Sequence, residues 1–183
     1  MNILRNAVGR GSMQALARGL LLLLVVTLLF GCIEDDELDQ QNPPSGGVES
    51  CLVNRVIDGD GIRLNCGPGR SNLNVRLQCI DAPESDQQPW GDQATDHLRA
   101  LVGPTVGLWS IEFDRFGRTV GRIYRGGEDL NLRMVADGKV AVYPEFCDDG
   151  RYYQAERIAK SAGIGIWSQP GFHQQPWEWR RIR

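Results

Sequence analysis

Residues 52–65 read Leu-Val-Asn-Arg-Val-Ile-Asp-Gly-Asp-Gly-Ile-Arg-Leu-Asn, two alternating segments on either side of a glycine-rich turn. Alternation of apolar and polar residues is the period of a strand, and Asp-Gly between two such segments predicts a β-hairpin. A third extended segment follows at residues 73–80. Residues 106–113 and 119–124 predict two more strands around a second turn, and residues 140–143 a short extended segment.

Helical patterns come later in the chain and are interleaved with strands. Apolar residues recur at helical spacing in residues 92–102, and further helices are predicted at residues 130–136 and 152–162, followed by Gly138 and Gly163. We therefore expect an α+β protein, mainly β, built on a five-stranded Greek-key barrel of the OB type with about three helices.

The N-terminal segment predicts export. Residues 1–31 contain three arginines and no acidic residue, and an apolar run from Leu20 to Phe30 is broken only by Thr27. A run of this length fits a signal peptide better than a membrane span. It ends in Leu-Phe-Gly-Cys at residues 29–32, which is similar to a bacterial lipoprotein processing site. That resemblance implies cleavage before Cys32 and lipid attachment to its sulfur, and the alternative is an uncleaved signal anchor with an incidental cysteine.

Location and tether follow from the residues after Cys32. Ile33 stands where an inner-membrane retention signal would have aspartate, so we expect a lipid-anchored protein of the bacterial cell envelope, at the outer membrane or the cell surface. Residues 32–50 are acidic and then rich in Pro, Gly and Ser, which predicts a flexible tether. The rest of the chain has the length of one domain.

Four cysteines remain beyond Cys32, an even number that suits an oxidising compartment. Cys51 and Cys66 lie symmetrically about the first turn, so a hairpin places them opposite each other and makes them our first pairing. Cys79 and Cys147 then pair by elimination. Four free buried thiols are the alternative, and a zinc site is disfavoured because no two cysteines are closely spaced.

The charge balance does not by itself indicate a nucleic-acid-binding protein. The chain has 20 Lys and Arg against 23 Asp and Glu, and three of the arginines lie in the signal peptide while five acids lie at residues 34–39 of the tether. The remainder is nearly neutral, whereas strong nonspecific binding depends on neutralising phosphates.

Three separated segments combine carboxylates with guanidinium groups. They are Ile57-Asp58-Gly59-Asp60, Val75-Arg76-Leu77-Gln78-Cys79-Ile80-Asp81-Ala82-Pro83-Glu84 and Asp114-Arg115-Phe116-Gly117-Arg118. Carboxylates bind a hard cation, and arginine forks match phosphate geometry, so the combination suits metal-assisted hydrolysis of a phosphodiester. Together with Gly-Ile-Gly-Ile-Trp at residues 163–167, their order and spacing resemble the thermonuclease family of staphylococcal-nuclease-like domains over residues 51–168.

The resemblance implies a set of site residues. Asp60, Asp81 and the backbone carbonyl of Ala82 would bind the metal, for which calcium is the expected ion. Glu84 would orient or deprotonate the attacking water. In addition, the resemblance implies that the reacting phosphate is bound by Arg76 and Arg118, and Tyr143 is a candidate substrate contact whose alternative is a half-buried strand residue.

Two positions depart from the family pattern, and other residues are expected to be structural. Phe116 stands where the family commonly has tyrosine, which removes one hydrogen bond to the substrate, and Gly61 replaces the usual threonine after Asp60. His97 and His173 lie outside every motif, and we expect both at the surface. Asn131 and Glu156 resemble positions that stabilise the fold, and Trp167 is expected to pack the end of the last helix onto the core. Residues 169–183 form a Trp/Arg-rich tail whose Trp177 and Trp179 could stack on bases, although packing onto the barrel is favoured.

The leading interpretation is an exported, monomeric, calcium-dependent nuclease. The resemblance implies hydrolysis of DNA and RNA with little sequence preference and 3′-phosphate ends. The alternative is a catalytically weak or inactive OB-type lipoprotein that binds nucleic acid, because such barrels often bind single strands. A purely structural envelope lipoprotein is least favoured, since it would not need all five polar site residues.

Overall fold

The structure is a computed structural model, and it describes residues 47–183. The predicted signal peptide, Cys32 and most of the predicted tether lie outside the described residues. The strands are β1 Val48–Val56, β2 Gly61–Asn65, β3 Leu73–Leu77, β4 Ile80–Asp81, β5 Thr105–Phe113, β6 Thr119–Arg125, β7 Glu128–Asp129 and β8 Ala141–Val142. The α-helices are α1 Trp90–Val102, α2 Leu130–Ala136, α3 Gly150–Ala162 and α4 Pro176–Arg181.

Five of the strands close into a barrel, which confirms the predicted fold. β1 pairs antiparallel with β2 and β5, β2 with β3, and β5 with β6. The parallel pairing of β3 with β6 joins the two ends of this order and closes the barrel. A separate two-stranded sheet joins β4 to β8, so the segment after β3 leaves the barrel.

The first strand bends between its two neighbours. Val48–Leu52 pairs with β5 and Leu52–Val56 pairs with β2, with an irregularity between Val53 and Arg55 that turns the strand. β1 starts earlier than the predicted strand, because its first residues find partners on β5. The partner strand β5 lies more than 50 residues later in the sequence, so the local alternation of apolar and polar residues does not reveal this pairing.

The barrel interior and the faces of α1, α2 and α3 form one core. Its most deeply buried large side chains include Ile62, Leu64, Val75, Leu77, Leu98, Leu108, Ile123, Leu130, Met134 and Tyr152. The helices predicted at residues 130–136 and near 152–162 are present, and α3 ends at Gly163 with φ of 61°. The described residues contain a fourth α-helix, the short α4, where about three helices were expected.

Two disulfides crosslink the domain, one within the first hairpin and one between segments far apart in the sequence. Cys51 bonds to Cys66 and Cys79 bonds to Cys147, the pairing that we favour from the sequence. The second one links the end of β3 to the segment before α3. Within residues 47–183, no helix has the length and apolar character needed to cross a membrane.

Candidate functional site

Asp60 and Arg76 face each other across the first hairpin and the third strand. Asp60 closes the β1–β2 turn, and the next residue, Gly61, pairs with Arg76 on β3. The backbone carbonyl of Asp60 also accepts a hydrogen bond from the amide of Leu77 at 2.8 Å. The antiparallel register of β2 and β3 therefore sets the position of the carboxylate relative to the guanidinium.

The chain reverses after β3 and brings Asp81 to the same place. Cys79 has φ of 69°, an unusual backbone conformation for a residue other than glycine, and its carbonyl accepts from the amide of Tyr143 at 2.9 Å. The amide of Ala82 then donates to Asp60 Oδ2 at 2.6 Å. This bond ties the segment after β4 to the first turn.

Asn131 supports the reversal from inside the fold. Its side-chain amide donates to the carbonyls of Gln78 and Gly121 at 3.0 and 3.1 Å, and its oxygen accepts from the amide of Ile123 at 3.2 Å. Because the residue is fully buried, these bonds join β6, the start of α2 and the end of β3 without competition from water.

Arg76 bridges the two carboxylates. Its guanidinium nitrogens lie 3.0 Å from Asp60 Oδ2 and 2.8 Å from Asp81 Oδ1, and its side chain is 15% exposed. The side chain of Asp81 is entirely inaccessible to solvent (0% exposed). Burial raises the pKa of both carboxyl groups, while the charge of Arg76 acts in the opposite direction. The site therefore holds two acids that need positive charge beside them to remain ionised.

Glu84 is positioned by the loop that leads into α1. Its amide donates to Gln87 Oε1 at 2.8 Å, and its carbonyl accepts from the amide of Gln87. The first turn of α1 packs closely on this loop: a Cβ added to Gly91 would lie 2.2 Å from the carbonyl oxygen of Glu84. The carboxylate itself is partly exposed to solvent and pairs with Arg180.

Arg118 lies on the neighbouring turn and is held differently from Arg76. Its Nε donates to Asp114 Oδ2 at 2.7 Å, and its guanidinium lies 5.7 Å from the ring centroid of Phe116. The parallel register pairs Arg76 with Val120, two residues beyond Arg118, so both arginines lie at the same end of the barrel. The structure brings Asp60, Arg76, Asp81 and Ala82 into direct contact, whereas the side-chain partners of Arg118 are Asp114 and Phe116 on the β5–β6 turn.

Tyr143 follows β8 and is stacked on a ring from the C-terminal segment. Its ring centroid lies 5.4 Å from that of Trp177 with 8° between the planes, and Phe146 meets it edge-on at 4.8 Å. The tail thus packs onto the domain, as favoured from the sequence.

Sequence reasoning missed Arg180, which contacts two of the candidate site carboxylates. Its guanidinium donates to Asp81 Oδ1 and Oδ2 at 3.1 and 2.9 Å and to Glu84 Oε1 at 2.7 Å. A signal was present, since Pro176 suits the first turn of a helix and the spacing of Trp177 and Arg180 places them on one helix face. No local pattern indicates which face meets the site.

His173 also corrects an expectation, because it is buried rather than at the surface. Its ring stacks on Trp90 of α1 at 4.6 Å, and its Nε2 lies 3.0 Å from the carbonyl oxygens of Ile166 and Gln169. His97 is only partly buried and lies 2.7 Å from Asp137. Both histidines therefore have structural partners outside the carboxylate cluster.

The donor chemistry of the cluster suits a hard divalent cation. Two buried carboxylates converge on guanidinium groups, which shows that this place accommodates positive charge, and every candidate ligand atom is an oxygen. Among the described residues, the ligand atoms of Glu49, Cys51 and Cys66 lie within 4.8 Å of one another, but this group is not a metal site because the two cysteines form a disulfide.

The departure at Gly61 has a local cause. A Cβ added at this position would lie 2.7 Å from Asp58 Oδ1, which itself accepts from the amide of Asp60 at 3.1 Å. A side chain at residue 61 would therefore displace the Asp58 carboxylate from the turn.

Comparisons with known proteins agree with this architecture. The family model described as staphylococcal nuclease homologue matches residues 74–169. The chain is 36% identical to a micrococcal nuclease of Shigella flexneri over 141 residues, which cover 70% of this chain and 79% of the relative. It is 33% identical over 162 residues to an uncharacterized endonuclease of Haemophilus influenzae, covering 87% of this chain and 82% of that protein. An uncharacterized endonuclease of Escherichia coli O157:H7 is 35% identical over 130 residues, with 70% and 82% covered. The chain belongs to the staphylococcal nuclease homologue family.

Proposed function

We propose that this chain is a calcium-dependent nuclease that hydrolyses DNA and RNA with little sequence preference and leaves 3′-phosphate ends. The observation that carries the proposal is the buried cluster in which Arg76 bridges Asp60 and Asp81 at one end of the barrel. The names of the relatives, a micrococcal nuclease and two endonucleases, support the same reaction.

Asp60, Asp81 and the carbonyl of Ala82 would hold the calcium ion. Once bound, the ion would polarise a phosphoryl oxygen of the scissile phosphate. Calcium accepts carboxylate, carbonyl and water oxygens in flexible geometry, which suits a site that offers two carboxylates and one carbonyl. The absence of histidine from the cluster favours such a hard ion over a softer transition metal.

The remaining residues have roles that follow from their positions. Glu84, the partly exposed acid beside the buried pair, would orient the attacking water or accept its proton. Arg76 and Arg118 would donate hydrogen bonds to the equatorial oxygens as charge develops on them. Since Nε of Arg118 is held by Asp114, its terminal nitrogens are the ones that a phosphate could meet. Departure of the 5′ oxygen then leaves the phosphate on the 3′ side.

Tyr143 is the proposed substrate contact. Tyr143 follows β8, and its backbone amide donates to the carbonyl of Cys79 in the reversal that positions Asp81, so a base stacked on its ring would place its phosphate near the cluster.

The test is hydrolysis of single-stranded DNA and RNA, with calcium and with chelator, by residues 40–183, which include the described domain and its single core. Arg118→Ala should lose hydrolysis by about 10²–10³-fold, as for removal of one charge-stabilising donor. Arg115→Ala is the matched control, because Arg115 lies on the same turn but is exposed over the Phe116 ring. A folded protein that binds single strands but cleaves neither substrate in calcium would instead support the alternative of a nucleic-acid-binding module.

We further propose that the chain is exported and acts as a monomer anchored by a lipid on Cys32, at the outer membrane or the cell surface. The apolar run before Cys32 and the two disulfides of the described domain support this location. Labelling of expressing cells with radioactive palmitate should mark the wild type and not Cys32→Ser. Equal labelling of both would place any lipid elsewhere.

A further inference from the structure

The C-terminal segment, residues 172–183, lies against the proposed site. It is seated on the loop before α1 and on α1 itself, because His173 stacks on Trp90 and Nε1 of Trp179 donates to Asp86 Oδ1 at 3.2 Å. Arg183 also forms an ion pair with Asp86. These contacts hold α4 across the loop that carries Asp81 and Glu84.

Arg180 occupies the carboxylates from this seat. Its guanidinium donates hydrogen bonds to both oxygens of Asp81, at 3.1 and 2.9 Å, and to one oxygen of Glu84, at 2.7 Å. Both oxygens of Asp81 accept from Nη2 of Arg180, and Oδ1 also accepts from Arg76, so the carboxylate has few remaining lone-pair positions for another cation. The buried location of Asp81 adds to this, since its side chain has no solvent-accessible surface while Arg180 is in place.

Trp177 closes the neighbouring aromatic surface. Its ring lies parallel to that of Tyr143 and covers the face on which a base would stack. One short helix thus presents a cation to the acidic residues, where calcium would bind, and a flat ring to Tyr143, where a nucleobase would stack.

We propose that the C-terminal segment is an autoinhibitory cap in which Arg180 competes with calcium for Asp81 and Glu84. This inference rests on the proposed function, because it assigns a regulation to the same site. Calcium and a nucleic-acid strand bind the form in which α4 has moved away. Each apparent Kd therefore equals the Kd of the open form divided by the fraction of molecules that are open. A segment closed about nine-tenths of the time weakens apparent calcium affinity about tenfold.

The first test is calcium binding by isothermal titration calorimetry with the same fragment, residues 40–183. Arg180→Ala should bind calcium about tenfold more tightly than the wild type. Arg181→Ala is the matched control: it lies next in the same helix, is 65% exposed and pairs with Glu178. The control should bind calcium as the wild type does. Arg180→Lys, which keeps the charge but loses the fork, should fall between them and also serves if the alanine variant folds poorly.

The outcomes separate the cap from its alternatives. Faster hydrolysis by Arg180→Ala at low calcium, with equal rates at saturating calcium, supports competition. An unchanged or weaker calcium Kd in both Arg180 variants would overturn the cap. Lost hydrolysis at saturating calcium with an unchanged Kd would make Arg180 a phosphate-binding residue instead. If no protein, including Arg180→Ala, binds calcium, the proposed function itself fails.

Discussion

Replacing Arg76 by alanine would remove the group that joins the two candidate metal carboxylates. The guanidinium lies 3.0 Å from Asp60 and 2.8 Å from Asp81, and little of the side chain is exposed. Both acids would stay buried in the variant, with Arg180 as the remaining guanidinium on Asp81.

The expected loss of stability follows from that uncompensated charge. Removing one partner of a buried ion pair costs about 3–5 kcal/mol. Because Arg180 still faces Asp81, we expect the lower end, about 3 kcal/mol of unfolding free energy in chelator. Calcium would supply positive charge to the same acids, so it should stabilise the variant more than the wild type. Loss of a contact to the developing phosphate charge should lower kcat about 10²–10³-fold even in saturating calcium.

Urea unfolding followed by tryptophan fluorescence, with calcium and with chelator, measures the first effect, and hydrolysis of a single-stranded oligonucleotide measures the second. Arg55→Ala is the control, since Arg55 is an exposed arginine on β1. An Arg76→Ala variant with the wild-type urea midpoint in chelator and a kcat within about tenfold of wild type would refute both roles.

Two further substitutions test the role of the Phe116 ring in substrate binding and of the Asp149 carboxylate in stability. Phe116→Tyr supplies the hydroxyl that the family commonly has, and one hydrogen bond of about 0.5–1.5 kcal/mol should lower KM for single-stranded DNA about two- to tenfold in steady-state kinetics; an unchanged KM would mean that the ring does not reach the substrate. Hydrogen bonds from Arg151 and then Arg122 hold the pKa of Asp149 well below its usual value, against burial. Its stabilising effect is therefore present above the unfolded pKa of about 3.9 and is lost as pH falls through the lower folded pKa. Asp149→Asn should thus lower the urea midpoint clearly at pH 7 and much less near pH 2, and an equal loss at both would contradict the assigned cause.

Local patterns predicted most of the fold. The hairpin around Asp58 and Gly59, the helix at residues 130–136 and the end of α3 at Gly163 all depend on neighbouring residues, through alternation, helical spacing and glycine. Closure of the barrel was predicted only as part of a fold type. The pairing of β3 with β6 that achieves it joins residues such as Val75 and Thr119, which no local pattern relates.

The residues of the candidate site likewise divide into those that local motifs predicted and one that they did not. Asp60, Arg76 and Asp81 could be proposed because each lies in a short motif. The register of β2 and β3 brings Asp60 to Arg76, and the chain reversal at Cys79 adds Asp81. Arg180 could not be proposed, because it lies 99 residues from Asp81 and 96 residues from Glu84 in the sequence. Tertiary packing of the C-terminal segment determines that contact, and it also determines the burial of His173 against Trp90.

Asp60→Asn removes the charge of a proposed calcium ligand at the phosphodiester-hydrolysing site. Asparagine keeps the shape and one acceptor oxygen for the amide of Ala82 but removes the negative charge. Calcium-stimulated hydrolysis of single-stranded DNA should fall at least about 100-fold in a variant that remains folded. A folded Asp60→Asn protein that hydrolyses DNA in calcium at the wild-type rate would contradict the account.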